Sequence, residues 1–248
     1  MTGSQIVMAV LAIGLASAAQ GLTGFGFSVV GVPLLLLVFD PPTVVVLSLV
    51  LSLVLSASLL PSAPGRVDVR ANWPLFATSF VGAIGAGLLL PHVSGSWLRP
   101  AMGFAAFAGG LAVVFGKGQP PFRREKVALA VTGFISGVMN GFASLSGPAI
   151  ATLALRQRWP ADRARRTMLA YSLFVNAVAL AALLAGGMLT LPRILLAAQL
   201  LPVVFAGRIV GQHGSRRIPA HAFRIVTLLM VLFCGATAMS QGIAATLH

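Results

Sequence analysis

Gly24-Phe25-Gly26-Phe27-Ser28-Val29-Val30-Gly31-Val32-Pro33 interrupts one apolar run, and Met139-Asn140-Gly141-Phe142-Ala143-Ser144-Leu145-Ser146-Gly147-Pro148 interrupts another. Gly26/Gly141, Phe27/Phe142 and Pro33/Pro148 share one offset, 115. Each stretch puts glycine and serine where a hydrophobic helix would otherwise continue. The chain therefore reads as two copies of one pattern, each opened by a helix broken in its middle.

Outward from these breaks the chain is almost uniformly apolar. Of 248 residues, 58% are hydrophobic and 8% charged, and the mean hydropathy is +0.96. No soluble domain of this size has so little polar surface. Apolar runs fall at 5–20, 28–39, 42–60, 73–91, 97–115, 127–140, 148–155, 164–186, 192–211 and 219–241. The pattern is that of an all-α polytopic membrane protein. Residues 21–27 and 141–147 are rich in glycine and serine and must lie within protein or beside a water-filled cavity, because irregular backbone cannot face lipid. Ala16-Ser17-Ala18 resembles a signal-peptidase site, but residues 1–10 carry no Lys or Arg. The basic n-region is missing, so residues 5–20 read as a retained segment.

The net charge of +13 does not point to nucleic acid. The basic residues sit in short loops between spans, where they set topology. With the loop 116–126 placed in the cytoplasm, alternating crossings put Arg66, Arg70, Lys117, Arg123, Arg124, Lys126, Arg156, Arg158, Arg163, Arg165, Arg166, Arg216 and Arg217 inside, with Arg208 and Arg224 near that face. Arg99 and Arg193 alone fall outside, and so do both termini. The loop at Asp40 is then outside while its counterpart at Arg156–Arg166 is inside. Two inverted repeats follow, residues 1–116 and 117–248, within one integral membrane domain. Each consists of a broken, re-entrant hairpin and three transmembrane helices. Ser48/Ser172, Ser52/Asn176, Gly82/Gly207 and Arg99/Arg224 extend the match. The hairpin arms, about 24 Å for 5–20 and 18 Å for 28–39 as helix, are shorter than a hydrocarbon core of ~30 Å. The two hairpins are expected to enter from opposite faces with their tips meeting near the midplane.

The glycine-rich break followed by Pro33-Leu34-Leu35, repeated at Gly137–Ile150, resembles the sulfite exporter TauE/SafE family, also called the 4-toluene sulfonate uptake permease family. The resemblance runs over nearly the whole chain. It implies a multi-pass transporter of sulfite, organosulfonates or related anions, of the kind found in bacterial plasma (inner) membranes. The second copy departs from the usual glycine run with Ser144-Leu145-Ser146-Gly147.

An oxyanion inside a membrane needs donors that are cheap to desolvate, and free N–H groups at helix N-termini are such donors. Helices beginning near Ser28 and Pro148 would present them at the tips. Ser28, Ser144 and Ser146 add hydroxyls; Gly24, Gly26, Gly141 and Gly147 let backbone approach a ligand; Gln20, Thr23 and Asn140 flank the tips. The same groups could merely cap helices, and Gly133, Gly137 and Gly141 form a stripe that favours close helix contact without a ligand. Ser48, Ser52 and Ser56 share one helix face. Ser172 and Asn176 do likewise, with Tyr171 beside them. Ser52 and Asn176 fall near mid-span and join the candidate set; an amide in hydrocarbon needs a partner. Arg208 is a candidate for anion steering, or a side chain that snorkels to the interface.

The four acidic residues, Asp40, Asp68, Glu125 and Asp162, lie in loops or at span ends. His92, His213, His221 and His248 do too, so no proton relay stands out. The chain shows no catalytic cluster, no metal site and no cofactor motif, and Cys234 is its only cysteine. Export of an anion down the membrane potential needs no coupling ion. The expected partners are a small anion such as sulfite or a sulfonate and the lipid bilayer, with no nucleic acid; a homodimer is left open. A permease for another organic anion, such as a carboxylate, and an anion channel are the alternatives.

Overall fold

Backbone geometry at the two breaks sets the architecture. Gly24 and Gly26 have φ of 83° and 108°, the left-handed region that glycine enters without a Cβ penalty. The computed structural model describes residues 3–115 and 120–214. Among these it has nine α-helices: α1 (Gly3–Thr23), α2 (Phe27–Leu35), α3 (Pro41–Leu59), α4 (Val69–Leu89), α5 (Gly95–Phe115), α6 (Glu125–Ala143), α7 (Gly147–Arg156), α8 (Ala161–Ala185) and α9 (Leu191–Gly214). Single 3-10 turns extend α3 and α4 at their C-terminal ends. The described residues contain no strand. The run 219–241, with Arg224 and Cys234, lies outside the described residues, as do Lys117, Arg216, Arg217, His221 and His248.

The breaks divide each hairpin unequally. α2 and α7 have 9 and 10 residues, about half a bilayer core. α1 and α6 have 21 and 19 residues and count, with α3, α4, α8 and α9, among six described helices long and apolar enough to cross a membrane. This corrects the expectation that every hairpin arm is too short to cross. Gln20, Gly21 and Thr23 continue α1 past its apolar run, because a helix inside protein can carry polar residues that hydrogen-bond its neighbours.

The register of the two copies also differs from the sequence match. α1 ends at Thr23 and α6 at Ala143; α2 begins at Phe27 and α7 at Gly147; α3 begins at Pro41 and α8 at Ala161. Each pair is 120 apart, not 115. The left-handed residue after α1 is Gly24, and its counterpart after α6 is Ser144 with φ 57°. Both donate their N–H back one turn over 2.8 Å, Gly24 to Gln20 O and Ser144 to Asn140 O. Turn geometry repeats where residue identity does not.

Packing follows small residues. α1 lies along α9, and α6 along α4. A Cβ on Gly21 would meet Arg208 O at 3.1 Å, then Gly211 and Gln212 N. A Cβ on Gly141 would meet Ala86 Cβ at 2.6 Å, with Ala83 O and Gly87 N at 2.9 Å. Adding 120 on the first helix and subtracting 125 on the second turns one set of positions into the other. Gly207 against Gly14 O and Gly82 against Phe134 O, both at 2.6 Å, obey the same rule. Backbones this close leave no room for side chains. α3 is the central helix: Leu47, Leu49, Leu51 and Leu55 are fully buried, and it rests on α8 and α9. Large apolar side chains such as Val7, Leu11, Phe80, Val81, Phe134, Ile209 and Val210 are exposed on the rim, the surface a bilayer covers.

Charges gather at two ends. At one, Arg99 donates to Leu36 O (2.7 Å) and Phe39 O (3.3 Å). Arg193 reaches Thr43 Oγ1 (3.2 Å) and lies 3.8 Å from Asp40, whose carboxylate caps α3 through Thr43 N. At the other, Arg166 donates to Ala63 O and Arg156 to Pro120 O. The two arginines that the charge pattern sets apart thus meet on one loop.

Candidate functional site

The breaks touch each other. Ser28 Oγ lies 3.2 Å from Ser144 Oγ, and Gly147 packs where a Cβ would be 3.2 Å from the Phe25 ring. Beside this contact is a cavity of about 20 Å³. One wall is the first break: Gln20, Gly26, Phe27, Ser28 and Val29. A second is Ser146, Gly147 and Ile150 of the other break. Ser52 on α3 and Met168, Tyr171 and Ser172 on α8 complete it. The space suffices for about one water.

Two helix N-termini face this space. Gly26 precedes α2 and Ser146 precedes α7, and neither N-cap offers a side-chain hydrogen bond. The opening N–H groups of α2 therefore lack a side-chain acceptor at a positive dipole end. Around them runs a chain of buried polar groups. Gln20 Nε2 donates to Ser56 Oγ (2.8 Å) and Gln20 Oε1 accepts from Ser52 Oγ (3.4 Å). Asn176 Nδ2 donates to Ser52 Oγ (3.1 Å) and approaches Ser172 Oγ (3.5 Å). Among the described residues Asn176 Oδ1 and Asn140 Oδ1 are buried without hydrogen-bond partners.

Of the residues singled out by sequence, Gln20, Gly26, Ser28, Ser52, Ser146 and Gly147 line the cavity. Ser144 and Asn176 stand behind it, each bonded to a lining serine. Four others are not among the lining residues. Thr23 Oγ1 donates to Ala19 O (2.9 Å) and accepts from Phe25 N (3.2 Å), joining the end of α1 to the break. Gly24 packs under the Arg165 stem, Asn140 donates to Val175 O (3.2 Å), and Gly141 meets α4. Arg208 is not at the cavity: its backbone carbonyl faces Gly21, and its Nε is buried without a partner among the described residues. Sequence reasoning passed over Met168, Tyr171 and Ser172 as site residues. It also took Arg165 only as one of the Arg156–Arg166 cluster, a topology signal that could also concentrate cytoplasmic anions. The missed signal is a spacing: positions 165, 168, 172 and 176 share one face of α8.

Apolar spans wrapped around a buried polar cavity at paired helix breaks define a polytopic membrane protein of the transporter kind. The chain belongs to the sulfite exporter TauE/SafE family, whose model matches residues 9–238. This is a family of membrane transporters for sulfite and related sulfur anions. Neither a curated protein nor a solved structure matches the chain.

Proposed function

We propose that this protein exports a small sulfur oxyanion or sulfonate, held between the first turns of α2 and α7. The observation that carries the reading is the cavity where both breaks meet. Its polar groups are hydroxyls, an amide and helix-end N–H groups, which can bind an anion without the desolvation cost of a buried cation. Further support comes from family membership. Sulfite has four heavy atoms, and the cavity of about 20 Å³ is sized for one water. Parting of the tips would admit it.

We further propose that residues 1–116 and 117–248 are inverted repeats in one membrane domain of the plasma membrane. The arginine-rich end would be cytoplasmic and the Asp40 end outside. The equivalent surroundings of Gly21 on α9 and Gly141 on α4, and of Gly82 on α6 and Gly207 on α1, favour this arrangement. Such pairs let one half rock against the other around a shared site.

Export follows from energetics. The membrane potential drives an anion outward by about 2.3 kcal/mol per charge per 100 mV. The described spans place no carboxylate at the cavity to bind a proton or sodium. The test is flux and counterflow of sulfite, sulfonates and carboxylates in proteoliposomes, under a potassium–valinomycin potential with equal pH and sodium on both sides. Saturable, potential-driven sulfite or sulfonate flux with counterflow is expected. Preference for carboxylates would reassign the substrate, and large single-channel currents would make the protein a pore. Flux that ignores the potential and follows a proton or sodium gradient would refute the uncoupled mechanism.

A further inference from the structure

Arg165 lies one turn from the cavity and is committed to the first break. Its Nη2 donates to Gly21 O over 2.9 Å and its Nη1 to Leu22 O over 3.3 Å. Both carbonyls belong to the last turn of α1, where no intrahelical donor remains. The side-chain stem lies on Gly24, where a Cβ would come within 2.7 Å of Arg165 Cγ. The guanidinium, the end of α1 and the left-handed Gly24 thus form one packed unit. Gly26, two residues on, is cavity wall. Met168 and Ser172, on the same face of α8 as Arg165, are wall as well. Along α8, Arg165 therefore lies between the wall residue Met168 and the N-terminal end that carries Asp162 and Arg163.

Among the described residues the second break has no such group. In the register 120 apart, Gly21 and Leu22 correspond to Gly141 and Phe142, and Arg165 corresponds to Val45. Val45 is a fully buried aliphatic and donates nothing. Among the described residues one break is held by a charged fork and the other is not.

We propose that Arg165 is the latch on the arginine-rich side of the cavity, released when an oxyanion takes the fork from the carbonyls of Gly21 and Leu22. A guanidinium offers two parallel N–H groups that match two oxygens of a sulfonate or sulfite. The acceptors it now holds are neutral carbonyls, and an ionised acceptor binds such a donor more strongly. An anion arriving from this side competes for the fork, and its success frees α1 from α8. The proposal rests on reading the cavity as the anion site.

The test uses the full chain with Cys234→Ala and Ser172→Cys, reconstituted in liposomes. A cationic, membrane-impermeant thiosulfonate reagent is applied from each side. Methanesulfonate serves as the anion, because sulfite itself cleaves mixed disulfides. Ser172→Cys should react slowly from the arginine-rich side, and faster when methanesulfonate is added there. Arg165→Ala should speed the reaction roughly ten- to a hundredfold, the range expected for losing a hydrogen bond to a charged group, and should abolish the response to the anion. Arg165→Lys keeps the charge but not the fork, and should fall between. If Arg165→Ala does not fold, Arg165→Lys decides alone: wild-type reactivity and anion response in that variant overturn the latch. Unchanged reactivity in folded Arg165→Ala overturns it too. Flux is measured in the chain that keeps Ser172. Normal flux there with unaltered accessibility removes the latch and leaves the transport reading. Accessibility that follows Arg165, with no anion flux in the chain that keeps Ser172, leaves a latch and removes the transport reading.

Discussion

Ser28 and Ser144 are 116 residues apart in the chain, yet their hydroxyl oxygens lie 3.2 Å from each other. That contact joins the tip of one broken helix to the tip of the other, so it must break if the cavity is to open between them. Paired cysteines at these positions, in a Cys234→Ala background, should form a disulfide on mild oxidation. Side-chain atoms this close suit the short Cβ separation of such a bond. Transport should stop on oxidation and return with reductant. Flux that survives full cross-linking would mean that the tips do not part during the cycle.

Asn176 is buried, holds Ser52 and approaches Ser172. Asn176→Leu leaves those hydroxyls without their donor and should lower stability by about 1–3 kcal/mol. The protein should still insert and run as a single species. Anion flux should be lost, because the polar chain behind the cavity is interrupted. Thermal unfolding in detergent and flux in proteoliposomes measure the two effects separately, and unaltered flux would reduce Asn176 to packing.

The glycines of the helix contacts should differ sharply among themselves. Gly207→Ala would place a methyl 2.6 Å from Gly14 O and 2.7 Å from Ser17 Cβ. The two helices must then separate, at a cost of roughly 1–3 kcal/mol. Gly82→Ala should behave alike, since its Cβ would meet Phe134 O. Gly85 lies one turn from Gly82 with nothing within 4 Å. Gly85→Ala should be neutral, or stabilising by ~0.5–1 kcal/mol from helix propensity. Melting temperatures of the three variants check the order.

Single cysteines in the loops should label from two sides. Sites in 61–71, 116–126 and 156–163 should react from the cytoplasm, and sites in 92–96 and 187–191 from outside. The expectation rests on the segregation of arginines, with Arg99 and Arg193 gathered at the Asp40 loop. Labelling of 116–126 from outside would reverse the orientation and undo the inverted-repeat proposal.

The helical membrane class and the two breaks were legible in the sequence because both are matters of composition. Apolar runs need no register, and glycine and serine stand out against them. The register of the repeat was legible only in part: Gly82 and Gly207 match by identity and make equivalent contacts, but the breaks do not keep the offset of 115. Gly26 and Gly141 match by identity, but Gly26 caps α2 while Gly141 is packed inside α6. The true counterpart of Gly24 is Ser144, a residue type that rarely enters the left-handed region, so nothing in its identity marks the turn. Arg165 was obscured for another reason. It stands among arginines that composition explains as topology signals, and only the fold brings the carbonyls of Gly21 and Leu22 to it. Met168 was hidden by chemistry, since it does not depart from an apolar span as serine or asparagine does; Tyr171 was noticed beside Ser172 but not placed at the site.

The pairing of α1 with α9 bears on how the protein is made. α1 ends at Thr23 and α9 begins at Leu191, so 168 residues must be synthesised before the two can meet. At 5–20 residues per second, α1 waits roughly ten to thirty seconds in the bilayer with its Gly14, Ser17 and Ala18 face uncovered. α6 has no such delay, because α4 precedes it. The nascent chain thus holds one finished helix pair, α4 with α6, while α1 rests on α2 and still waits for α9.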